Sequence, residues 1–551
     1  MVTFKIMRKL PLMNLLALVT ASSAYLSTGI SSLEAASVDP SRPNVVLIVC
    51  DDLNDYVEGF GGHPQTKTPN MAKLAESGVR FTSAYSNVPV CAPSRGSFLT
   101  GIYAHTSGNL FWAKWYDNPI LKNSKTLMEF FKDAGYTVEG SGKMMHFHRR
   151  SDWSEFANKA DYGPFAFDGK DRVAHSDVPM PYNDIGPVDG SYGPLEKIPF
   201  EGQDKPGSGS GWVTGAWNDT KRFNYSDPNN LDLTPDEKNA KWASERITEL
   251  AQADSGQPFF VGVGFIRPHT PLHVQQRYFD RFPIDELTMP IIKPGDAEDT
   301  HYLDVFKDTM KGPKYFRDLV ASYPDMETAI LTFTQAYLAC VNAVDECIGQ
   351  VIDAVEDNGL SENTIIIVTS DHGWDMGQKD FLFKHSPWEG STRIPLIIHA
   401  PRVAKAGAEV KQPVSLIDLY PTLIDLCGIK GDNRKNEKGV PLDGFSLRPL
   451  LVEPEAGQWD GPDAALSMVY GGQKAGNFNP EERWNPAAQN WSLRSADWRY
   501  IIYNNGMEEL YNHQIDPLEW DNVVKKHPEV VAKMRDEVKR MTYLDRLAIR
   551  K

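Results

Sequence analysis

Runs of apolar residues alternate with amphipathic stretches along most of this chain. Four apolar runs predict strands that are buried on both faces, at 43–50, 259–265, 365–368 and 396–398. Apolar positions at helical spacing predict helices at 70–77, 126–134, 236–253 and 328–358. Because strands alternate with helices, the sequence predicts an open α/β sheet with helices on both faces.

One long segment lacks this periodicity. From 151 to about 226 the chain is rich in glycine, proline, aspartate and aromatic residues. A long irregular insertion in a compact domain is usually functional or disordered. Its aromatic content is high for a disordered segment, which favours a loop-rich wall beside the active site over disorder.

The C-terminal part reads as a separate small unit. A break rich in proline, glycine and glutamate covers about 453–462. Strands are predicted at 491–503, followed by the hairpin signal Asn504-Asn505-Gly506 and a final helix at 528–546. We therefore predict a main domain at 41–455, which includes the insertion, and a C-terminal α+β subdomain at 463–551.

The first residues have the layout of a secretory signal peptide. Lys5, Arg8 and Lys9 precede an apolar run from 10 to about 25, and small residues follow as far as Ala36. The run is short for a membrane-spanning helix. We expect a leader at 1–36, cleaved after Ala24 or near Ala36, and export to the periplasm or medium without a stable membrane anchor.

Charge and cysteine content narrow the function further. The formal net charge of −16 argues against nucleic acid and anionic membranes as partners, so an anionic substrate needs a locally cationic pocket. The cysteines are Cys50, Cys91, Cys340, Cys347 and Cys427. Cys340 and Cys347 lie about 10 Å apart by helical rise, too far to pair with each other. We expect no disulfide framework.

The most informative motif is Cys91-Ala92-Pro93-Ser94-Arg95, closed by Leu99-Thr100-Gly101. A nucleophilic thiol needs a nearby imidazole or cation, yet the local sequence offers only Arg95 before His105. The alternative to a nucleophilic role is that Cys91 is simply a small buried residue before a helix. The motif resembles the signature of the type I sulfatases. That resemblance implies an alkaline phosphatase-like fold with a large, mainly parallel sheet and a C-terminal antiparallel sheet. It also implies that a maturation enzyme oxidises Cys91 to formylglycine, whose hydrate attacks sulfur.

Two strand ends carry candidate metal ligands, Asp51-Asp52 and Asp371-His372. Adjacent carboxylates repel each other unless a cation lies between them, although a turn or helix cap is the alternative for either pair alone. Mostly hard oxygen ligands favour Ca²⁺ or Mg²⁺ over Zn²⁺. The resemblance implies one Ca²⁺, with the oxygen of residue 91 completing its shell. His372 stands where many members have asparagine, and Asp-His-Gly is similar to the iduronate-2-sulfatase-like branch.

Basic residues supply the cationic pocket that the acidic chain requires: Arg95, Lys143, His269 and Lys384. The resemblance implies that Lys143, His269 and Lys384 bind the sulfate. It further implies that His146 orients the hydrate and takes its proton, and that His269 protonates the leaving oxygen with help from Lys384. The spacing of Lys143 and His146 again resembles the iduronate-2-sulfatase-like branch.

These features predict an exported sulfatase that removes O-sulfate from a sulfated carbohydrate, such as an ulvan-type or glycosaminoglycan-type glycan. One alternative is a phosphonate or phosphate ester hydrolase of the same superfamily. The other is a glycan-binding protein without catalysis, in which Cys91 stays a thiol.

Overall fold

The computed structural model of the protein describes residues 42–198, 209–225, 231–253, 256–455, 458–471 and 488–542. The predicted leader at 1–36 lies outside the described residues. So do the last residues of the helix predicted at 528–546.

The described residues form strands and helices with the following bounds. The strands are β1 (Asn44–Asp51), β2 (Val79–Tyr85), β3 (Thr137–Gly142), β4 (Glu155–Lys159), β5 (Phe165–Phe167), β6 (Arg172–Val173), β7 (Tyr192–Pro194), β8 (Gly211–Ala216), β9 (Asp219–Phe223), β10 (Phe259–Pro268), β11 (Leu272–Val274), β12 (Thr364–Ser370), β13 (Arg393–His399), β14 (Ala408–Val410), β15 (Val414–Ser415), β16 (Ala464–Val469), β17 (Asn490–Ser495), β18 (Trp498–Ile502) and β19 (Glu508–Asn512). The α-helices are α1 (Pro69–Ser77), α2 (Cys91–Phe98), α3 (Ala104–Ser107), α4 (Leu127–Asp133), α5 (Pro235–Gln252), α6 (Gln276–Phe279), α7 (Tyr302–Val305), α8 (Lys311–Ala321), α9 (Met326–Asp357), α10 (Glu389–Thr392), α11 (Leu419–Leu426), α12 (Arg448–Val452) and α13 (Pro528–Thr542). Short 3-10 helices lie at Trp115–Asp117, Leu121–Asn123, Arg150–Asp152, Tyr182–Ile185, Leu195–Lys197, Ile284–Glu286, Ser361–Asn363, Gln378–Asp380 and Leu416–Asp418.

The main sheet has the strand order β14-β2-β13-β12-β1-β10-β3-β4, and β15 also pairs with β2. Both pairings of β13 are antiparallel, and all other neighbours in this sheet run parallel. The prediction of a mainly parallel sheet is therefore confirmed. The strand predicted at 396–398 lies within β13, the one strand that runs against the others.

Side chains of β1 explain why helices cover both faces of the sheet. All eight residues of β1 are buried, and successive side chains of a strand point to opposite faces. Val46 and Ile48 belong to one hydrophobic core, and Val45 and Leu47 belong to the other. The 32-residue helix α9 contributes to the first core, together with α5. Two apolar layers thus enclose the strand that ends at Asp51.

The segment at 151–226 is more regular than its sequence indicates. Strands β6, β5, β8 and β9 form a four-stranded antiparallel sheet in that order. Ala166, Trp212 and Phe223 form a small core of their own beneath it. The strands have two to six residues, which is too short for a period of two to stand out in the sequence. The insertion was predicted to be rich in loops, and its described residues also contain this small sheet, which the sequence analysis did not predict.

The C-terminal part has the expected antiparallel sheet, in the order β16-β17-β18-β19. The predicted hairpin signal at 504–506 lies in the loop between β18 and β19. Helix α13 packs its buried Val531, Met534 and Val538 into the same core as Leu493 and Leu510.

All five cysteines are buried free thiols. Within the described ranges, none of the helices combines the length and the apolar character needed to cross a bilayer.

Candidate active site

Four neighbouring parallel strands bring polar side chains to one edge of the main sheet. In the order β12-β1-β10-β3, their carboxyl ends lead into Asp371, Asp51, His269 and Lys143. Ligands of open α/β sheets bind beyond these ends of the strands. Glycine is required at position 142, where β3 ends. The backbone there is left-handed (φ 77°), and a Cβ would collide with the carbonyl of Gly264 on β10. The sheet therefore assembles the site from segments that are far apart in sequence.

Cys91 begins helix α2 and has no exposed surface. Its Sγ lies 3.2 Å from Nε2 of His372 and 3.3 Å from Nζ of Lys384. Burial and the nearby charge of Asp51 raise the pKa of the Cys91 thiol to about 11. The structure thus supplies the imidazole that the local sequence lacks, but the thiol stays protonated at neutral pH. This is not the environment of an activated cysteine nucleophile.

The other residues of the motif tie α2 to three strands. Nε of Arg95 lies 2.7 Å from Oδ2 of Asp371, and the guanidinium also donates to the backbone carbonyls of Lys143 and Cys50. Ser94 Oγ donates to the Asp371 carbonyl at 2.7 Å. The contacts of Arg95 therefore point to positioning of Asp371 and of the strand ends.

The acidic side chains fit a divalent cation. Three buried carboxylate oxygens accept no hydrogen bond: Asp51 Oδ1, Asp52 Oδ2 and Asp371 Oδ1. One donor atom from each of Asp51, Cys91, Asp371 and His372 lies within 4.8 Å of the others, and the same holds for Asp51, Asp52, Cys91 and His269. Asp52 has a left-handed backbone (φ 64°), a strained conformation that often marks functional sites. Carboxylate-rich donor sets favour Ca²⁺ or Mg²⁺.

The two neighbouring aspartates titrate differently. Burial and the charge of Asp51 raise the pKa of Asp52 to about 8, although Lys384 opposes this shift. Burial acts in the same direction on Asp51, but the combined charges of Lys143 and the other nearby basic groups outweigh it and hold the pKa of Asp51 well below its usual range. Two such carboxylates cannot both stay charged at low cost without further positive charge between them.

The predicted basic residues surround this cluster. Lys143 Nζ forms an ion pair with Asp51, and Lys384 Nζ lies 2.7 Å from Oδ1 of Asp52. His269 Nε2 lies 3.8 Å from Oδ2 of Asp52, and its Nδ1 donates to the Thr270 carbonyl at 2.5 Å. His146 packs instead against aromatic rings, with Trp112 at 4.5 Å. Burial and the charge of Lys143 lower the pKa of His146 to about 3.

Three residues that the sequence analysis did not assign to the site also contribute to it. The Tyr162 ring lies 4.8 Å from Lys143 Nζ and 5.0 Å from the His269 ring. Arg267 donates to the carbonyls of His269, His273 and Gly163.

Asp189 is the third residue, and it accepts a hydrogen bond from Thr270 Oγ1 at 2.9 Å. Tyr162 and Asp189 lie in the insertion, where no sequence pattern marks them. Arg267 directly precedes the segment 268–271, Pro-His-Thr-Pro, which contains the predicted His269, and it could have been included.

Comparison with known families places the chain among hydrolases of sulfate esters. Residues 43–429 match the family model described as Sulfatase. Residues 377–543 match the model described as N-sulphoglucosamine sulphohydrolase, C-terminal.

Two curated relatives come from Formosa agariphila. A protein named Sulfatase is 31% identical over 87% of this chain and 83% of its own length. A protein named Ulvan-active sulfatase is 26% identical over 89% of this chain and 78% of its own length.

Solved structures share the fold at lower identity. The phosphonate monoester hydrolase of Silicibacter pomeroyi has a TM-score of 0.64 at 22% identity, covering 91% of this chain and 95% of its own. A structure solved with its substrate D-glucosamine-2-N,6-O-disulfate has a TM-score of 0.61 at 19% identity, covering 91% and 98%. These likenesses show the alkaline phosphatase-like fold.

Proposed function

We propose that this chain, which belongs to the sulfatase family and is a sulfatase, removes O-sulfate from a sulfated carbohydrate by means of a formylglycine made from Cys91. The observation that carries the proposal is the position of Cys91. It lies between the acidic cluster and Lys384, with its thiol held protonated by burial. A thiol in this environment is a poor nucleophile, so the residue needs another chemical form to act.

The basic side chains perform the anion chemistry in this proposal. Lys143 and Lys384 bind the sulfate oxygens and stabilise the charge that develops on them in the transition state. In the hydrated aldehyde proposed at residue 91, one hydroxyl would attack sulfur while the ester S–O bond breaks, and the proton it loses balances the proton that the sugar oxygen gains. The second hydroxyl would then lose its proton, the C–O bond to the sulfate would break, and the aldehyde would be restored. His146 is the residue proposed to take up that second proton, which requires its pKa to rise from about 3 once the negative charge of the bound sulfate offsets that of Lys143.

Proton donation to the leaving oxygen involves His269 and Lys384. His269 uses Nδ1 as a donor to the Thr270 carbonyl, so its neutral form presents a lone pair at Nε2. Although burial opposes it, the combined negative charge around Lys384, with Asp52 the largest contributor, holds the pKa of Lys384 well above its usual value. Lys384 therefore holds the proton in the free protein, and it is the source of the proton that reaches the leaving oxygen, either directly or by way of His269 Nε2.

A divalent cation completes the proposed site. Asp51, Asp52, Asp371 and His372 would hold it, and their oxygen-rich donor set favours Ca²⁺. When bound, the cation supplies positive charge that neutralises the sulfate ester. The orphaned carboxylate oxygens of three aspartates support this assignment.

The proposed substrate class is more specific than membership of the sulfatase family alone implies. An ulvan-type glycan is supported by the name of one relative, and a glycosaminoglycan-type glycan remains the second option. Asp371-His372-Gly373 and the spacing of Lys143 and His146 support the iduronate-2-sulfatase-like branch. The phosphonate or phosphate ester alternative shares this fold with a solved hydrolase, and a fold alone does not decide between the two esters. We also propose that a maturation enzyme acts on Cys91 and that the protein is exported.

One experiment tests the chemistry. The protein is produced with and without a formylglycine-generating enzyme, and the Cys91 peptide is analysed by mass spectrometry. We expect the aldehyde only with the enzyme, and hydrolysis of sulfated ulvan and heparan oligosaccharides only in that preparation. Equal activity of the thiol form would overturn the mechanism. Faster turnover of a phosphonate monoester than of every sulfate would favour the alternative.

A further inference from the structure

A pocket of about 320 Å³ lies beside Lys384. Lys384 lines it, and the Nζ of this residue lies 3.3 Å from Cys91 Sγ. Trp112 forms another part of the wall, and its ring lies 4.5 Å from the His146 ring. The pocket therefore adjoins the residues proposed to act on the sulfate group.

The walls of the pocket are aromatic. They include Phe111, Trp112, Tyr302, Phe381, Phe383 and Tyr470. The rings of Phe111 and Tyr470 stack at 4.6 Å with an interplanar angle of 17°. A pyranose ring has a flat face of C–H groups that packs well against such apolar surfaces. The volume lies at the lower end of the range for small-ligand pockets, which suits a single sugar ring.

His385 supplies a polar atom in this wall. The residue is buried, its backbone N–H donates to the Pro89 carbonyl at 3.1 Å, and its imidazole donates to the Tyr470 backbone. Nε2 is buried and has no hydrogen-bond partner. Because the other ring nitrogen is the donor, Nε2 carries a lone pair. Burial lowers the pKa of His385 to about 4, so this acceptor persists at neutral pH.

Besides Lys384, the other charged side chain that lines the pocket is Lys311, and it already forms an ion pair. Lys311 lines the pocket, and its Nζ lies 2.8 Å from Oδ2 of Asp189 and 4.9 Å from the Phe383 ring. This pairing leaves little positive charge for a second anionic group. A sugar ring without a second charged group therefore fits this wall with no change in ion pairing, whereas a uronate would have to compete with Asp189 for Lys311.

We propose that this pocket binds the sugar ring that carries the sulfate, and that Nε2 of His385 accepts a hydrogen bond from one hydroxyl of that ring. The assignment rests on the proposed carbohydrate sulfatase activity. It makes His385 a specificity-determining residue, because a ring without that hydroxyl leaves a buried acceptor unpaired.

The test measures how strongly kcat/KM depends on single sugar hydroxyls in the unmodified enzyme and in the His385→Phe variant. The probes are rhamnose 3-sulfate, galactose 6-sulfate and N-acetylglucosamine 6-sulfate, with 4-nitrophenyl sulfate as a substrate without a sugar. The best sugar sulfate is then replaced by its single-deoxy analogues. In the unmodified enzyme, loss of one particular hydroxyl should lower kcat/KM about tenfold. In His385→Phe, the parent sugar sulfate should fall to the level of that analogue, and the two should differ less than about twofold.

Controls separate this effect from misfolding. The ratio of kcat/KM for the parent and the deoxy analogue does not depend on the folded fraction of the preparation. His385→Asn is a second variant, because asparagine tolerates the positive φ of 73° at this position. His527→Phe, which alters a histidine outside the pocket, should keep the tenfold discrimination of the unmodified enzyme.

Each contrary outcome has its own meaning. If the His385→Phe enzyme keeps the discrimination, the pocket proposal is wrong and the sulfatase proposal stands. The pocket proposal is equally wrong if the unmodified enzyme turns over every deoxy analogue as well as the parent, whatever the variants do. Turnover of 4-nitrophenyl sulfate but of no sugar sulfate would overturn both the carbohydrate activity and the pocket assignment.

Discussion

Arg95 and Asp371 form an ion pair in which neither side chain has any exposed surface, with Arg95 Nε 2.7 Å from Asp371 Oδ2. The pair joins the helix that carries Cys91 to the carboxyl end of β12. It explains why the cysteine motif contains an arginine, because the guanidinium donates its hydrogen bonds to an aspartate and to backbone carbonyls. This contact thus couples the orientation of a proposed metal ligand to the placement of the proposed nucleophile.

Removing Arg95 should destabilise the whole protein. Arg95→Met leaves the Asp371 carboxylate buried without its partner, which we expect to lower the free energy of unfolding by about 3–5 kcal/mol. Urea unfolding followed by circular dichroism measures the change. The matched control is Arg434→Met, because Arg434 pairs with Asp432 on the surface. An equal loss in both variants would show that the Arg95 pair has no special weight.

Lys384 should be needed for turnover. Lys384→Met removes the cation that lies between Asp52 and Cys91, so we expect kcat/KM for 4-nitrophenyl sulfate to fall about 100-fold or more. Steady-state kinetics on formylglycine-containing protein measures it. Lys405→Met, which changes an exposed lysine, is the control and should match the unmodified enzyme. A loss below about threefold would remove Lys384 from the proposed mechanism.

A divalent cation should stabilise the folded chain. After treatment with a chelator, adding Ca²⁺ at about 100 times its Kd should raise the free energy of unfolding by about 2.7 kcal/mol. Thermal melts with Ca²⁺, Mg²⁺ and Zn²⁺ compare the metals without reference to activity. Asp52→Asn should reduce the Ca²⁺-dependent shift in Tm, whereas Asp432→Asn on the surface should not. A shift with Zn²⁺ and none with Ca²⁺ would contradict the assignment from oxygen ligands.

The aromatic ring of Tyr162 should matter more than its hydroxyl. Its ring lies 4.8 Å from Lys143 Nζ, and a desolvated cation–π contact of about 1 kcal/mol corresponds to a roughly fivefold change. We expect Tyr162→Leu to lower kcat/KM about fivefold, while Tyr162→Phe stays within about twofold of the unmodified enzyme. If Tyr162→Phe shows the larger loss, the hydroxyl and not the ring is the important group.

His105 should make the protein sensitive to acid. Its Nε2 donates to the Met541 carbonyl of α13, and burial lowers its pKa to about 4 from an ordinary value of 6.5. Between these values the unfolded chain binds a proton that the folded chain does not. The free energy of unfolding should therefore fall as the pH drops from 6.5 to 4, by at most about 3.4 kcal/mol from this residue.

The variant His105→Gln isolates this contribution. Glutamine can still donate to Met541 but does not titrate, so the difference in stability between unmodified protein and variant should itself change with pH in that window. Urea unfolding at several values between pH 4 and 7.5 measures it, and His527→Gln serves as the surface control. Parallel pH profiles for unmodified protein and His105→Gln would contradict the prediction.

The sequence predicted the site residues at the strand ends better than the segments that surround them. Asp51, Asp371 and His269 follow apolar runs, and the ends of parallel strands meet at one edge, so their proximity could be expected. An apolar run carries no information about direction, which is why the antiparallel course of β13 was not foreseen. Tyr162 and Asp189 reach the site from an insertion with short strands. Contacts over such distances in sequence depend on packing that no local pattern encodes.

The complete burial of Cys91 has a consequence for the biosynthesis of the protein. The residues that contact its sulfur, His372 and Lys384, follow it by 281 and 293 positions. At roughly 5–20 residues per second, about 15–60 s pass between the synthesis of Cys91 and that of Lys384. An enzyme that converts Cys91 needs access during this interval or before the sheet closes. If activity requires the proposed conversion, a molecule that folds first keeps its thiol, and the active fraction of a preparation then reflects the competition between conversion and folding.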